Sequence, residues 1–283
     1  MNAPAVAVPN TTTSTLTRSV TADISLDVQR PGRIVFQVAV AHAPGLSVDE
    51  TLTVTVDGTP VTPTEIVGRT GTRFHVLDQP PVGALALSYA ATVTGKAQAP
   101  EVLDHELIEY ARPSRYAESD TLAAVAQREF GDIDDPTELL GAVAAWVGGH
   151  LSYVSGSSDP TDGAVDTYLL GQGVCRDYAH LVIALLRARN VPARLVAVYA
   201  PGLSPMDFHA VAEAYVDGGW HVVDGTLLAP RATLLRIATG RDAADTAFTD
   251  ALGGGIVFGQ STVTAVVEGD LPGDDPRQLV TLG

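Results

Sequence analysis

A single cysteine, Cys175, occurs among the 283 residues. It stands where a glycine-framed turn, Gly171-Gln172-Gly173-Val174, gives way to an apolar run containing Leu181, Val182 and Ile183. A thiol does chemistry as a thiolate, and the first turn of a helix favours that form through its free N–H groups and its field. Gly171 and Gly173 allow close backbone approach and leave amides free to hold an oxyanion. A thiolate nucleophile also needs an imidazole within hydrogen-bond reach, and a carboxylate behind the imidazole to fix its orientation. His209 and Asp224 lie downstream in short polar–apolar segments of the kind that end or edge a strand. On neighbouring strands about 5 Å apart they would be within side-chain reach of each other. The bland alternative is that a lone cysteine at the start of an apolar helix is a small core residue.

The elements that must position these groups follow from periodicity. From Ser14 to about Gly95 the pattern has period two, as where Ile24, Leu26 and Val28 alternate with Asp23, Ser25 and Asp27. Turn pairs such as Pro31-Gly32 and Asp57-Gly58 punctuate it, which predicts a sandwich or small barrel of about six strands. The texture changes between Lys96 and Pro113. Helices are predicted from Thr121 to Phe130 with Asp120 as N-cap, from Pro136 through Trp146, around Val165 to Leu170, and from Cys175 to Arg189. Three strands follow, Ala193 to Tyr199, Ala210 to Val216 and Trp220 to Val223. Asp217-Gly218-Gly219 joins the last two as a hairpin. Helices first and sheet later is an α+β order. Val263 to Val267 has the pattern of a terminal strand returning to either domain.

Other polar residues have plainer readings. His180 is five positions from Cys175, off the same helical face, and reads as a structural hydrogen-bonding residue. His150 and His221 read as surface residues, and the fragments match no zinc signature. Arg176 and Asp177 pair with neighbours or cap the helix, or Asp177 supports the loop before Cys175. Glu213 either backs the histidine or is buried in an ion pair. Trp146 and Trp220 read as core. Gly253-Gly254-Gly255 lacks the Lys-Ser/Thr of a phosphate loop and reads as a flexible turn.

Composition sets broad limits. With 46% hydrophobic and 18% charged residues the chain is globular. A formal charge of −16 argues against nucleic acid or an anionic membrane as partner. No apolar stretch reaches the length of a membrane span and the N-terminus lacks an export-signal pattern. One cysteine permits no internal disulfide, which fits a reducing cytoplasm.

The run Gly173-Val174-Cys175-Arg176-Asp177-Tyr178-Ala179-His180-Leu181 resembles the nucleophile segment of the transglutaminase-like superfamily, in particular its bacterial cysteine-protease branch. Four more segments match in order. Val191-Pro192-Ala193-Arg194 resembles the entry to the sheet, and Asp207-Phe208-His209-Ala210 with Glu213 and Tyr215 the histidine strand. Gly219-Trp220-His221-Val222-Val223-Asp224-Gly225-Thr226 resembles the aspartate strand, and Arg236 to Asp245 a tail common in that branch. The resemblance covers residues 110–250 and implies a papain-like, transglutaminase-like α+β core, preceded by an all-β sandwich-like domain. It implies Cys175 as nucleophile, His209 as general base and then acid, and Asp224 as the orienting carboxylate. The oxyanion hole would comprise the Cys175 amide and a donor just before it, with Gln172 the candidate; Asp177 and Glu213 are the candidate support residues. Two departures stand out. Gly225 fills a place often held by Pro or Ala, and Val211 a place often held by Trp, which would remove an aromatic wall from the acyl-side pocket.

The resulting reading divides the chain into an irregular start (1–13), a β-sandwich-like domain (14–98), a transglutaminase-like core (110–250) and a tail (251–283). The expected function is cysteine-dependent hydrolysis of an amide or peptide bond through a thioester acyl-enzyme, without cofactor or metal; no calcium loop is recognisable. Expected substrates are a peptide, a protein or a small amide. The alternatives are acyl transfer to an amine, and a non-enzymatic assembly or peptide-binding module. Substrate-binding residues and oligomeric state are not legible.

Overall fold

The computed structural model describes residues 16–283; the irregular start expected at 1–13 lies outside them. Seven strands come first: β1 (Thr17–Arg30), β2 (Arg33–Phe36), β3 (Leu46–Val56), β4 (Thr59–Val61), β5 (Thr64–Val67), β6 (Arg73–Asp78) and β7 (Gly83–Gly95). Alternation drives them. In β1 the side chains of Val20, Ala22, Ile24, Leu26 and Val28 are buried and those between them are not. Leu85, Leu87, Tyr89, Ala91 and Val93 do the same in β7, so a slip of one residue would turn either strand inside out. Asp57 and Gly58, both at positive φ (49° and 76°), close the β3–β4 hairpin.

The helical half contains α1 (Asp104–Glu109), α2 (Ala123–Phe130), α3 (Pro136–His150), β8 (Ser152–Tyr153), α4 (Ala164–Leu170), β9 (Gln172–Gly173) and α5 (Cys175–Ala188). The expected Asp120 cap is not used: α2 starts two residues later, with Leu122 at the cap position and no side-chain cap. Asp135 does cap α3, accepting from the Thr137 amide at 2.9 Å. Helix α5 is buried from Asp177 through Arg187. It lies between α2, α3 and α4 and an antiparallel sheet ordered β12-β11-β10-β13, formed by β10 (Ala193–Tyr199), β11 (His209–Val216), β12 (Gly219–Val223) and β13 (Leu235–Gly240). Leu181, Leu185, Leu195, Ala212 and Ala214 form the interior of this layer. The architecture is α+β, a helical layer packed on a four-stranded antiparallel sheet and joined to a β-sandwich.

After α6 (Ala243–Thr246) the chain returns to its beginning as β14 (Thr249–Leu252) and β15 (Gly255–Val267). Strand β15 pairs along β1 from Arg18↔Val267 to Arg30↔Gly255, and β14 pairs with β2. The sandwich sheets are β15-β1-β7-β3-β4 and β14-β2-β6-β5. The returning strand anticipated at Val263–Val267 is thus longer, and it edges the N-terminal sandwich. The two halves share a core: Tyr199, Leu235 and Ile237 pack with Phe36, Val38 and Val40. The Tyr199 hydroxyl donates to the Val38 carbonyl at 2.7 Å, and the Ala41 amide to the Arg236 carbonyl at 2.8 Å.

Candidate active site

Cys175 is the first residue of α5, so its amide has no carbonyl a turn earlier to bond. The turn before it is held by Asp177, wholly buried, whose Oδ2 accepts from the Val174 amide at 2.8 Å. The other Asp177 oxygen accepts from Arg176, which also reaches Ser158 and the Asp159 carbonyl and so ties down the loop ahead of α4. Gly173 is required by that packing: a Cβ there would come 2.7 Å from the Asp177 Cβ. Asp177 therefore supports the loop before the cysteine.

His209 opens β11 and Asp224 follows the end of β12, two strands paired side by side. The imidazole Nε2 lies 3.1 Å from Asp224 Oδ2, with both side chains almost wholly buried. Asp224 Oδ1 accepts from the Thr226 amide at 2.8 Å and from its hydroxyl at 2.7 Å, fixing the carboxylate plane. Gly225 packs its Cα against Val147 and Val182, where a Cβ would sit 3.2 Å from Val147 Cγ1. With Nε2 turned to Asp224, the buried Nδ1 makes no hydrogen bond among the described residues and is the nitrogen left for the Cys175 thiol, which lines the same cavity.

Electrostatics follow from this placement. Burial alone would lower the His209 pKa, but the Asp224 hydrogen bond, then the neighbouring Cys175, push it up to about 10. Burial would likewise raise the Asp224 carboxyl; hydrogen bonding and charge from His209, then Thr226, hold it below its ordinary value. An imidazolium beside the sulfur is the electrostatic partner of a thiolate. The three side chains thus lie in one region, with Nε2 of His209 on the Asp224 carboxylate and Cys175 and His209 lining one cavity.

Tyr153 was missed in the sequence. Strand β8 pairs parallel with β9, setting Tyr153 opposite Gly173, and its hydroxyl faces both the thiol and the amide of Cys175. Burial, then the charge on Cys175, raise its pKa to about 12. The signal available was only a tyrosine in a Gly/Ser/Asp-rich loop. Gln172, the oxyanion candidate, is half-buried, and its side chain makes no hydrogen bond among the described residues. Glu213 is not beside the histidine. Its carboxylate is taken by Arg194 (2.9 Å) and Arg236 (2.6 Å), which outweigh burial and hold its pKa at about 2. His180 is a packing residue: its Nε2 accepts from the Ala243 amide, its ring stacks on Tyr116, and burial lowers its pKa to about 3. Val211 lies in the sheet interior with Val196, Val198 and Val222 and so walls no pocket.

A cavity of about 610 Å³ opens at Cys175 and His209. Its walls come from all parts of the chain: Gln37 from the sandwich, Leu195 and Ile237 from the central sheet, and Phe248 from the segment entering β14. Phe208 and Phe248 stack across it, ring centroids 5.0 Å apart.

The model of the transglutaminase-like superfamily matches residues 123–225, which contain the cysteine, the histidine and the aspartate just described. The crystal structure of a putative cysteine protease from Cytophaga hutchinsonii superimposes with a TM-score of 0.82 at 33% identity, covering 93% of this chain and 94% of that one. The chain belongs to the transglutaminase-like superfamily. An uncharacterised protein of Mycobacterium leprae is 25% identical over 151 residues, 49% of this chain and 53% of that one. The chain thus spans about half the length of that curated relative. Membership of the superfamily supports a cysteine-dependent function in the coarse sense. The bond acted on is a separate question.

Proposed function

We propose that the protein is a cysteine hydrolase that cleaves an amide or peptide bond through a thioester acyl-enzyme. The observation carrying this reading is the buried His209 with Asp224 on Nε2, its Nδ1 unpartnered, lining one cavity with Cys175. In this mechanism the Cys175 thiolate attacks the carbonyl carbon, the S–C bond forms and the C=O π electrons move onto oxygen; they return to re-form C=O when the C–N bond breaks. The Cys175 amide and the Tyr153 hydroxyl, which faces it, stabilise that oxyanion. His209, protonated at Nδ1, gives its proton to the departing amine as the C–N bond breaks. Water then enters, Nδ1 takes its proton, hydroxide attacks the thioester, and the carboxylic acid leaves as the thiolate and imidazolium re-form. Asp224 keeps Nε2–H pointed away from the sulfur throughout. The substrate is a peptide, protein or small amide.

The test is mass spectrometry of a mixed peptide pool incubated with the protein, with and without added methylamine. The expected result is new carboxyl termini that Cys175→Ala abolishes, with little methylamine incorporated. Methylamine amides as the main product would replace hydrolysis by acyl transfer. Identical pools from wild type and Cys175→Ala would refute the reading.

A further inference from the structure

The cavity at Cys175 contains polar atoms that the mechanism does not use. Gln37 is 6% exposed, and its Nε2 donates to the Ala247 carbonyl at 3.0 Å. A carbonyl only accepts, so this bond fixes the amide's orientation and leaves Oε1 buried with no partner. The Thr249 hydroxyl, on the same wall, is also buried without a partner. An unmade hydrogen bond at a buried acceptor is unfavourable, and a ligand N–H that reaches it would relieve that cost. Two carboxylates, Asp207 and Asp250, line the same cavity. Each accepts only from the amide that follows it, Phe208 and Ala251, and neither forms an ion pair among the described residues. Of the cations in the lining, Arg176 is engaged by Asp177 and the Asp159 carbonyl, and the His209 imidazolium by Asp224. Between these polar groups lie Leu195, Ile237 and the stacked Phe208 and Phe248 rings.

We infer that this cavity receives a basic side chain of the substrate, lysine or arginine, whose apolar stem lies along the phenylalanines. Its cationic N–H groups meet Gln37 Oε1, Asp207 and Asp250. The inference rests on the proposed function, naming a substrate class for the same site. It gives the β-sandwich a part in recognition, because Gln37 follows β2 and the Ala247 carbonyl that orients it precedes β14. A long side chain with several donors satisfies acceptors that are spread over three elements. A carboxylate would meet two like charges, and a neutral urea would satisfy hydrogen bonds without offsetting charge.

Protection of Cys175 from iodoacetamide tests this without requiring turnover. The full chain is labelled in the presence of N-acetyl-arginine amide, N-acetyl-lysine amide, the citrulline isostere or N-acetyl-glutamate amide. Whole-protein mass reports the one thiol. Each variant is normalised to its own rate without peptide. The arginine and lysine compounds are expected to protect at concentrations about tenfold lower than citrulline, with glutamate inert. Asp207→Asn with Asp250→Asn should reduce that ratio to about threefold or less, and Gln37→Glu, which keeps an acceptor and adds charge, should widen it. Equal protection by citrulline, protection by glutamate, no protection by any compound, or an unchanged ratio in the double variant would each overturn the inference. If Cys175 proves an ordinary slow thiol, the hydrolase reading fails, yet protection is still read on the slower rate and the two failures remain distinct.

Discussion

Asp224→Asn isolates the charge behind the histidine. The substitution keeps the side-chain volume, and an asparagine oxygen can still accept from the Thr226 amide and hydroxyl, so the local turn persists. What disappears is the anion 3.1 Å from His209 Nε2. At pH 7 the imidazolium lies about three pH units below its raised pKa of about 10. At about 1.36 kcal/mol per unit, the site favours the charged ring by about 4 kcal/mol. That is the ceiling on the loss, because beyond it the ring simply deprotonates; in free energy it corresponds to about 10³-fold. Thiolates of lower pKa are also weaker nucleophiles, with a Brønsted slope of about 0.5, so about half of the logarithm reaches the alkylation rate. Iodoacetamide should therefore modify the variant up to about 30-fold more slowly than wild type at pH 6. The gap should close and then invert toward pH 10, where an ordinary thiol with pKa about 8.5 is fully ionised and the more basic thiolate is the stronger nucleophile. Whole-protein mass spectrometry over a pH series reads both arms on one thiol. An equal rate at pH 6 in a variant with native circular dichroism would show that Asp224 does not sustain the charge on His209, and the argument from the buried pair would fail.

Other residues give separable outcomes. The His209 pKa is raised, so the stability it contributes is complete below about pH 6.5 and is lost as pH climbs through about 10. The Tm difference between wild type and His209→Gln should accordingly shrink across that range, and a constant difference would contradict it. Asp224, with its pKa lowered, contributes stability present above about pH 3.8 and lost on acidification, so the Tm gap to Asp224→Asn should narrow below that pH. Glu213→Ala strands Arg194 and Arg236 in the interior and should cost about 3–5 kcal/mol in urea unfolding, while a Glu213→Ala, Arg194→Met, Arg236→Met combination recovers much of it. Tyr153→Phe should lower turnover about 10-fold or more with little change in KM, as expected for a hydroxyl that acts on the oxyanion; a rise in KM at unchanged kcat would make it a binding residue instead.

How much of this was legible depended on whether the signal was local. Strands β10, β11 and β12 and helix α5 carry their own period, and the Asp217-Gly218 turn has the positive φ values its residues favour, so their limits are readable to within a residue or two. Cys175, His209 and Asp224 stand at the ends of those elements, and the ends are brought together by a sheet order that alternation, helix placement and family resemblance all support. Tyr153, Gln37 and Phe248 gave no such warning. Tyr153 is positioned by a two-residue parallel pairing with β9, too short for any periodicity to announce. Gln37 and Phe248 lie 211 positions apart and meet because the Gln37 amide donates to the Phe248 carbonyl at 3.0 Å, beside the pairing of β14 with β2. The hydrophobic pattern predicts a strand at Val263–Val267 within β15, but neither β14 nor which sheet edge the tail will cover, because any unpaired edge offers the same N–H and C=O groups. The fate of the tail decides the cavity: had β14 not paired with β2, Phe248 and Gln37 would not share a wall. The chemistry of the cysteine is therefore encoded within residues 123–225, whereas the shape and charge of the space in front of it depend on contacts between the two ends of the chain. Relatives that keep the first and vary the second would be expected to share a nucleophile and differ in substrate.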